Sequence, residues 1–308
     1  MSFALLLVRR LLSIIVLAWA VTAAAFTLFR VAGLRPATMA QINAQLGPGQ
    51  PAAAQYLHYL QMLLHGDLGQ TMVIGLPVDT ALRQGLPATL SLIIGAMILW
   101  LITGISLGTI SALRPGSFAD RTVTTAALTA LVLPTFLTAL FLLFVFSFLA
   151  RSRFFWLQPG YVPLTHSPGQ WLGRMILPWI AVAATQVGAT ARLTRSSIMD
   201  VMSEDYVRAA HAKGLAGRRV FYRHVLRPAI VPVLASLSIG FGTLLGSAAI
   251  VDYVFALGGI GQELLTAVGE GDLMLVLGTT VITVILISLA NLIIDICQAV
   301  LDPRVHVI

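Results

Sequence analysis

The 308-residue chain is 58% hydrophobic and only 10% charged, with a mean hydropathy of +0.91, whereas soluble globular domains carry roughly one charged residue in four. That balance excludes an ordinary water-soluble domain and makes a bilayer the chain's solvent. The formal charge of +7 sits between apolar runs and accompanies no nucleic-acid signature, so it reports orientation in a membrane rather than nucleic-acid binding.

Six stretches contain no Asp, Glu, Lys or Arg: 11–29, 84–113, 122–150, 175–191, 228–251 and 273–294, each 17 to 30 residues long. A helix rises about 1.5 Å per residue and the hydrocarbon core is about 30 Å thick, so each can cross. The expectation is an all-α membrane protein with six transmembrane helices. Arg9 and Arg10 end a cytoplasmic N-terminus at 1–10, and the first span covers 11–31. A cleaved signal is the rival reading of this segment, but its apolar run exceeds the usual signal core of about 7–15 residues.

An extracytoplasmic loop at 32–86 begins with turn-prone Gly33, Pro36, Gly47, Pro48 and Gly49. Within it, 51–65 is predicted to be an amphipathic helix with Leu57, Leu60 and Leu64 on one stripe, Gly66 ending it, and the membrane or the span bundle beneath it. Leu86-Pro87 is expected to open the second span, proline being tolerated in a first turn. Pro134 falls inside the third span as a kink candidate. Gly104 with Gly108, and Gly242 with Gly246, have the spacing that lets helix backbones approach. Asp252 and Asp295 lie at span ends and read as caps or interface residues, and Cys297 as a small packing residue near the end of the last span. With the N-terminus inside, thirteen of the nineteen basic residues fall on the cytoplasmic side, which places both termini there by the positive-inside rule.

The cytoplasmic segment Arg192–Arg227 holds eight of those nineteen basic residues. Ser203 can cap a helix of about ten residues whose first turn carries Glu204 and Asp205, with Lys213 in its last turn and Gly214 closing it. Ala209, Ala210 and Ala212 are small enough for close approach to another surface, and Tyr206 and Val207 supply apolar anchors. A docking helix follows; an interfacial helix whose arginines attract anionic lipid headgroups is the alternative. The only lysine, Lys213, is followed by Gly214 and Leu215, so the phosphate-binding Gly-Lys-Ser/Thr turn is missing and the chain is no P-loop ATPase. The spans also lack the buried carboxylates, lysines and histidines of ion-coupled carriers. The six histidines, His58, His65, His166, His211, His224 and His306, all fall in loops or termini, leaving no Ser-His or metal-ligand constellation within the spans. Energy for pumping has to enter from a partner; a passive channel or ion-coupled carrier remains the alternative.

The run Asp205-Tyr206-Val207-Arg208-Ala209-Ala210-His211-Ala212-Lys213-Gly214-Leu215, followed by Arg223-His224-Val225-Leu226-Arg227-Pro228-Ala229, resembles the coupling motif of permease subunits in the dipeptide, oligopeptide and nickel group of bacterial ABC importers. Gly66-Asp67-Leu68-Gly69-Gln70-Thr71, Leu86-Pro87-Ala88-Thr89-Leu90, Ala191-Arg192-Leu193-Thr194-Arg195-Ser196-Ser197, Asn291-Leu292-Ile293-Ile294-Asp295 and Leu301-Asp302-Pro303-Arg304 are similar to the family's recurring segments, in the family's order. The resemblance implies a type I importer transmembrane-domain fold with its permease core over 87–308 and a cytoplasmic coupling helix. It also implies a second homologous permease, cytoplasmic ATPase subunits that hold ATP and magnesium, an extracytoplasmic substrate-binding protein, and a multi-pass place in the bacterial inner membrane. No cofactor and no enzymatic step are expected of this chain itself. Where the broader motif has a glutamate before the paired alanines, this chain has Arg208, which shifts the expected partner contacts onto Glu204 or Asp205. Where the family tends to show Pro-Gly after the fifth span, Gly258-Gly259 stands.

Overall fold

The computed structural model describes residues 3–31, 36–72, 75–149 and 156–301. Gly33 and the segment 302–304 lie outside the described residues, as does the side chain of Cys297. Among the described residues the regular secondary structure is all helix, with one isolated bridge pairing Gln70 with Pro77. In chain order the helices are α1 Phe3–Val31, α2 Pro36–Leu46, α3 Ala52–Leu64, α4 Val78–Leu113, α5 Phe118–Val132, α6 Thr135–Leu142, α7 Pro168–Met202, α8 Asp205–Ala212, α9 Gly217–Val220, α10 Leu226–Val254, α11 Ile260–Glu270 and α12 Leu273–Leu301. π-helical turns cover Leu143–Leu149 and Phe221–Val225.

Among the described residues five helices are long and apolar enough to cross a membrane: Leu12–Val31, Val78–Leu113, Pro168–Met202, Gly217–Val254 and Leu273–Ile296. The expected third span is a bent pair, Phe118–Val132 and Thr135–Leu149, turning by 104° at Pro134; counted as one, it is the sixth. Pro134 is thus more than a kink. It adopts φ −59°, ψ 137° and starts α6, because it has no N–H to continue α5 and its ring excludes the preceding carbonyl. The second span departs the other way. α4 starts at Val78 and carries Pro87 inside, where its missing N–H leaves the Arg83 carbonyl without the usual i→i−4 donor.

Contacts divide the chain into two units. The first comprises 1–91, 159–171 and 248–289, the second 92–158, 172–247 and 290–308. In the first, Phe26, Ile42, Leu46, Tyr59, Val78, Leu82, Ile260 and Leu273–Leu277 form one apolar core. A buried polar knot ties α1, α2 and α3: Arg30 donates to Gln55 Oε1, and Gln55 Nε2 donates to Asn43 Oδ1 at 2.8 Å and to the Gly47 carbonyl at 3.0 Å. Tyr56 donates to the Trp19 carbonyl at 3.0 Å and meets Thr22 at 2.9 Å, which anchors an α1 whose Leu12, Ile15, Val16 and Trp19 are otherwise exposed as a lipid-facing helix requires.

Helix α3 matches its predicted position within a residue or two, but its inward face is not the leucine stripe. Gln55 and Tyr59 are fully buried, while Leu57 and Leu64 are 59% and 86% exposed. The chain buries an amide there because three polar partners await it. Asp252 closes the α10–α11 turn, accepting N–H groups of Gly259 and Gln262, each at 3.0 Å. A Cβ at Gly259 would collide with that carboxylate and with Thr89, so glycine is required by space at this position. Asp272 does the same for α12, accepting from Met72 N–H at 2.6 Å and Leu275 N–H at 3.0 Å.

In the second unit α4, α7 and α10 meet around Trp100, whose indole N–H donates to Thr190 Oγ1 at 2.6 Å. Gly104 and Gly108 lie on the α4–α7 crossing, where an added Cβ would meet Thr190 at 2.9 Å and the Ala191 carbonyl at 2.5 Å, respectively. That pair packs as its spacing predicts. Gly242 and Gly246 do not: among the described residues nothing lies within 4 Å of a Cβ at either, and both are exposed.

Candidate functional site

The predicted coupling residues form a small module at the end of α7. Ser203 does not cap α8; its hydroxyl donates back to the Asp200 carbonyl at 2.7 Å, and Glu204 takes the N-cap position without a side-chain bond. The helix is 8 residues long, shorter than expected because Lys213 is already its C-cap. Gly214 ends it at φ +76°, with its N–H donating to the His211 carbonyl at 2.9 Å, and Leu215 N–H reaches the Ala210 carbonyl at 3.4 Å. A Cβ at Gly214 would meet nothing, so its dihedral, not crowding, selects glycine.

Helix α8 divides sharply into two faces. Val207 and Ala210 are buried in a core with Ala112 of α4, Ile198 of α7, Val220, Val225 and Ala229, with Leu215 half-buried beside them. These two side chains, expected to meet a partner, instead hold α8 on its own chain, since i and i+3 share one helical face. Glu204, Asp205, Tyr206, Arg208, Ala209, His211, Ala212 and Lys213 are exposed. Tyr206 leans across the module and donates to the His224 carbonyl at 3.2 Å; burial, then the neighbouring Glu204 charge, pushes its phenol up, so it remains a donor at neutral pH. Asp205 and Arg208 approach at 3.4 Å with 98% and 72% of their side chains exposed. A pair so hydrated contributes little to folding, and both charges stay available to a second protein. Beyond α8, Arg218 stacks over the Tyr222 ring at 5.9 Å, and Tyr222, Arg223, Leu226, Arg227 and Ile230 line a groove of about 500 Å³.

Two features of the second unit have no counterpart among the sequence expectations. Asp120, at the start of α5, is buried with Arg195 of α7 against it, Nε–Oδ1 at 2.7 Å and Nη2–Oδ2 at 2.9 Å. A Ser-x-x-Asp signal was legible at Ser117, whose hydroxyl accepts Asp120 N–H at 3.2 Å; the pairing with a residue 75 positions away was not. The second feature is a groove of about 780 Å³ along α5, lined by Phe118, Arg121, Thr122, Thr125, Ala126, Thr129, Ala130, Leu133, Thr138 and Ala184. Thr122 and Thr129 donate to their own helix carbonyls at 2.8 and 3.0 Å, which leaves their lone pairs facing outward as acceptors. Hydroxyls spaced i, i+3, i+7 are a helical stripe, and it is neither charged nor fully apolar.

A model of the family described as binding-protein-dependent transport system inner membrane component matches residues 104–307. A putative peptide transport system permease protein of Brucella suis biovar 1 is 35% identical over 274 residues, covering 89% of this chain and 86% of the relative. The dipeptide transport system permease protein DppB of Escherichia coli K12 is 33% identical over 301 residues, covering 89% and 87%. A probable peptide ABC transporter permease protein of Sinorhizobium fredii is 31% identical over 312 residues, covering 97% and 98%. Among solved structures, a chain of the MetNI methionine ABC transporter in an inward-facing conformation shares the fold, with a TM-score of 0.56 at 18% identity over 73% of this chain and 97% of that one.

Proposed function

This chain belongs to the family of binding-protein-dependent transport system inner membrane components, and from that premise we propose that it carries peptides, driven through α8 by a cytoplasmic ATPase. It is a multi-pass permease subunit of an ABC importer with the type I fold. The peptide class rests on relatives named for peptide and dipeptide transport. In the proposed arrangement both termini and α8 are cytoplasmic, the α2–α3 region faces an extracytoplasmic binding protein, and a second, similar permease completes the path. The exposed small-residue face of α10 at Gly242 and Gly246 is a surface on which another membrane helix could pack closely. The threonine stripe of α5 offers acceptors to the N–H groups of a passing peptide, with Arg121 at the Phe118 end of the groove as its charged lining residue.

The observation that carries this reading is the division of α8. One face is committed to the chain's own core, and the other presents Glu204, Asp205, Tyr206, Arg208, Ala209, Ala212 and Lys213 to solvent. An interfacial helix would present an apolar face to lipid; here Val207 and Ala210 are internal, and the outer face mixes Tyr206, Ala209 and Ala212 with Glu204, Asp205, Arg208 and Lys213. The test is reconstitution in vesicles with the second permease, the ATPase subunits and the binding protein. Uptake of a labelled dipeptide should require all partners and ATP. Concentration of peptide by this chain alone, or passive equilibration without ATP, would reject the proposal.

A further inference from the structure

Resting on that reading, we propose that the Asp120–Arg195 ion pair is the positioning element that transfers displacement of α8 to α5. Four donors converge on the Asp120 carboxylate: Ser111 Oγ of α4, Gly116 N–H at 2.8 Å, and Arg195 Nε and Nη2 of α7 at 2.7 and 2.9 Å. Asp120 is 5% exposed, and a buried carboxylate satisfied in this way fixes every group around it in direction as well as distance.

The pair adjoins the seat of α8 on both supporting helices. On α4, Ser111 precedes Ala112, which lies in the core beneath α8; on α7, Arg195 stands three residues before Ile198, which lies in the same core. Residues three apart share a helix face, so the same turn of α7 holds both the ion pair and the docking helix. Only Ser203 and Glu204 separate the end of α7 from α8. That core contains no residue of α5. At this end of the unit Asp120 is the side-chain joint between α5 and the block that bears α8, beside the covalent 114–117 turn from α4 and before the closer packing of Ala127 on Gly188 of α7; α5 is the helix whose threonine stripe lines the groove and whose far end breaks at Pro134. A push on α8 reaches α4 and α7 through apolar packing, and reaches α5 through the guanidinium–carboxylate fork. A neutral or single-bonded substitute keeps the volume and loses the direction.

The test uses the assembled, reconstituted importer with Asp120→Asn, Arg195→Gln and Arg195→Lys, and reads peptide imported per ATP hydrolysed alongside the amount of complex recovered. Wild-type complex must first show ATP-dependent uptake; if it does not, the proposed function has failed rather than this inference. With that established, Asp120→Asn and Arg195→Gln should retain ATPase activity while import per ATP falls about tenfold. Arg195→Lys, which keeps the charge without the fork, should fall between them and wild type. Unchanged import per ATP in the variants, whether total uptake is intact or drops only in proportion to recovered complex, would show the pair to be a folding staple and overturn the inference. Should Asp120→Asn fail to assemble, Arg195→Lys and Ser111→Ala bring the same ratio to a decision.

Discussion

Ala209 and Ala210 are adjacent in sequence and opposite in consequence. Ala210 is 7% exposed among Ile198, Val207, Val220 and Val225; Ala209 faces solvent. Ala210→Leu adds three carbons to a filled core, an overpacking cost of about 1–3 kcal/mol that tilts α8 from its seat. Ala209→Leu stands at an exposed position and should change the stability of the chain by less than about 0.5 kcal/mol. If α8 inserts into a groove of the ATPase, however, the added side chain at 209 blocks the close approach that alanine permits. A central contact of that kind is worth about 2 kcal/mol, or roughly 30-fold in affinity. Thermal unfolding of the purified permease and retention of the ATPase on the immobilised permease measure the two quantities separately. The expected outcome is a crossed one: Ala210→Leu melts earlier, and Ala209→Leu melts normally but loses the ATPase. Full retention of the ATPase by Ala209→Leu would refute the assignment of the exposed face, and a normal melt for Ala210→Leu would refute the packing of the buried one.

Gly108→Ala should lower the melting temperature, because its Cβ meets the Ala191 carbonyl at 2.5 Å and Thr194 Cβ at 2.6 Å, a clash of about 1–3 kcal/mol that the roughly 1 kcal/mol gain in helix propensity does not offset. A Cβ at Gly242 meets nothing among the described residues, so Gly242→Leu should melt normally while reducing co-purification of the second permease; undiminished co-purification would discard that face of α10. Gln55→Leu strands the partners of a fully buried amide, Asn43, Gly47 and Arg30, and should cost at least about 1–3 kcal/mol, seen as faster proteolysis of the α2–α3 region, whereas Leu64→Ser at an 86% exposed position should not. Burial pushes the Asp272 carboxyl up, against the lowering by its backbone donors, so the folded chain holds that proton more tightly than the unfolded one. The resulting stabilisation is complete below the ordinary aspartate pKa of about 3.9 and is lost as pH rises through the folded value; the melting temperature of Asp272→Asn should show a shallower decline over that window than wild type, and an identical slope would place the proton elsewhere.

The fold was legible wherever the sequence pattern answers to the solvent. Charge-free runs locate the long helices because a charge in hydrocarbon is costly irrespective of tertiary context. Gly104 and Gly108 were legible as a crossing for the same reason, since only small residues let backbones meet there. What the pattern hides is polar burial. The Leu57–Leu60–Leu64 stripe of α3 has the right period, yet Gln55 and Tyr59 of the same helix take the interior, because hydropathy assigns the amide to water and cannot see Arg30 and Asn43 waiting for it. Helix α2 was missed because Pro36, Gly47 and Gly49 read as turns, whereas Pro36 starts the helix and Gly47 follows its end. In the candidate site, the composition of α8 marked it as a contact helix, but which alanines remain free is decided by α4, α7 and the π-helical turn, remote in sequence. Asp120 was unreadable as a buried joint because its partner, Arg195, stands 75 positions away.

These polar joints also bear on how a chain with no phosphate-binding loop of its own can use a push from outside. Work delivered to an exposed eight-residue helix is useful only if the contacts behind it resist deformation more than the elements it must move. Apolar packing around Val207 and Ala210 transmits compression, but apolar surfaces slide over one another at small cost because dispersion contacts have no preferred direction. Directional bonds do not slide, and in the coupling proposed above the bidentate pair, its carboxylate buried and its guanidinium partly exposed, stands at the point where α8, α4, α7 and α5 would otherwise shear. In the same proposal the give lies farther along, at the 104° break around Pro134, where one helix ends and another begins without a continuous hydrogen-bond ladder. A permease built in the reverse order, yielding beside α8 and rigid at the break, would consume ATP without moving its path. The ratio of import to hydrolysis, rather than either rate alone, is therefore the quantity on which the geometry of this chain makes its claim.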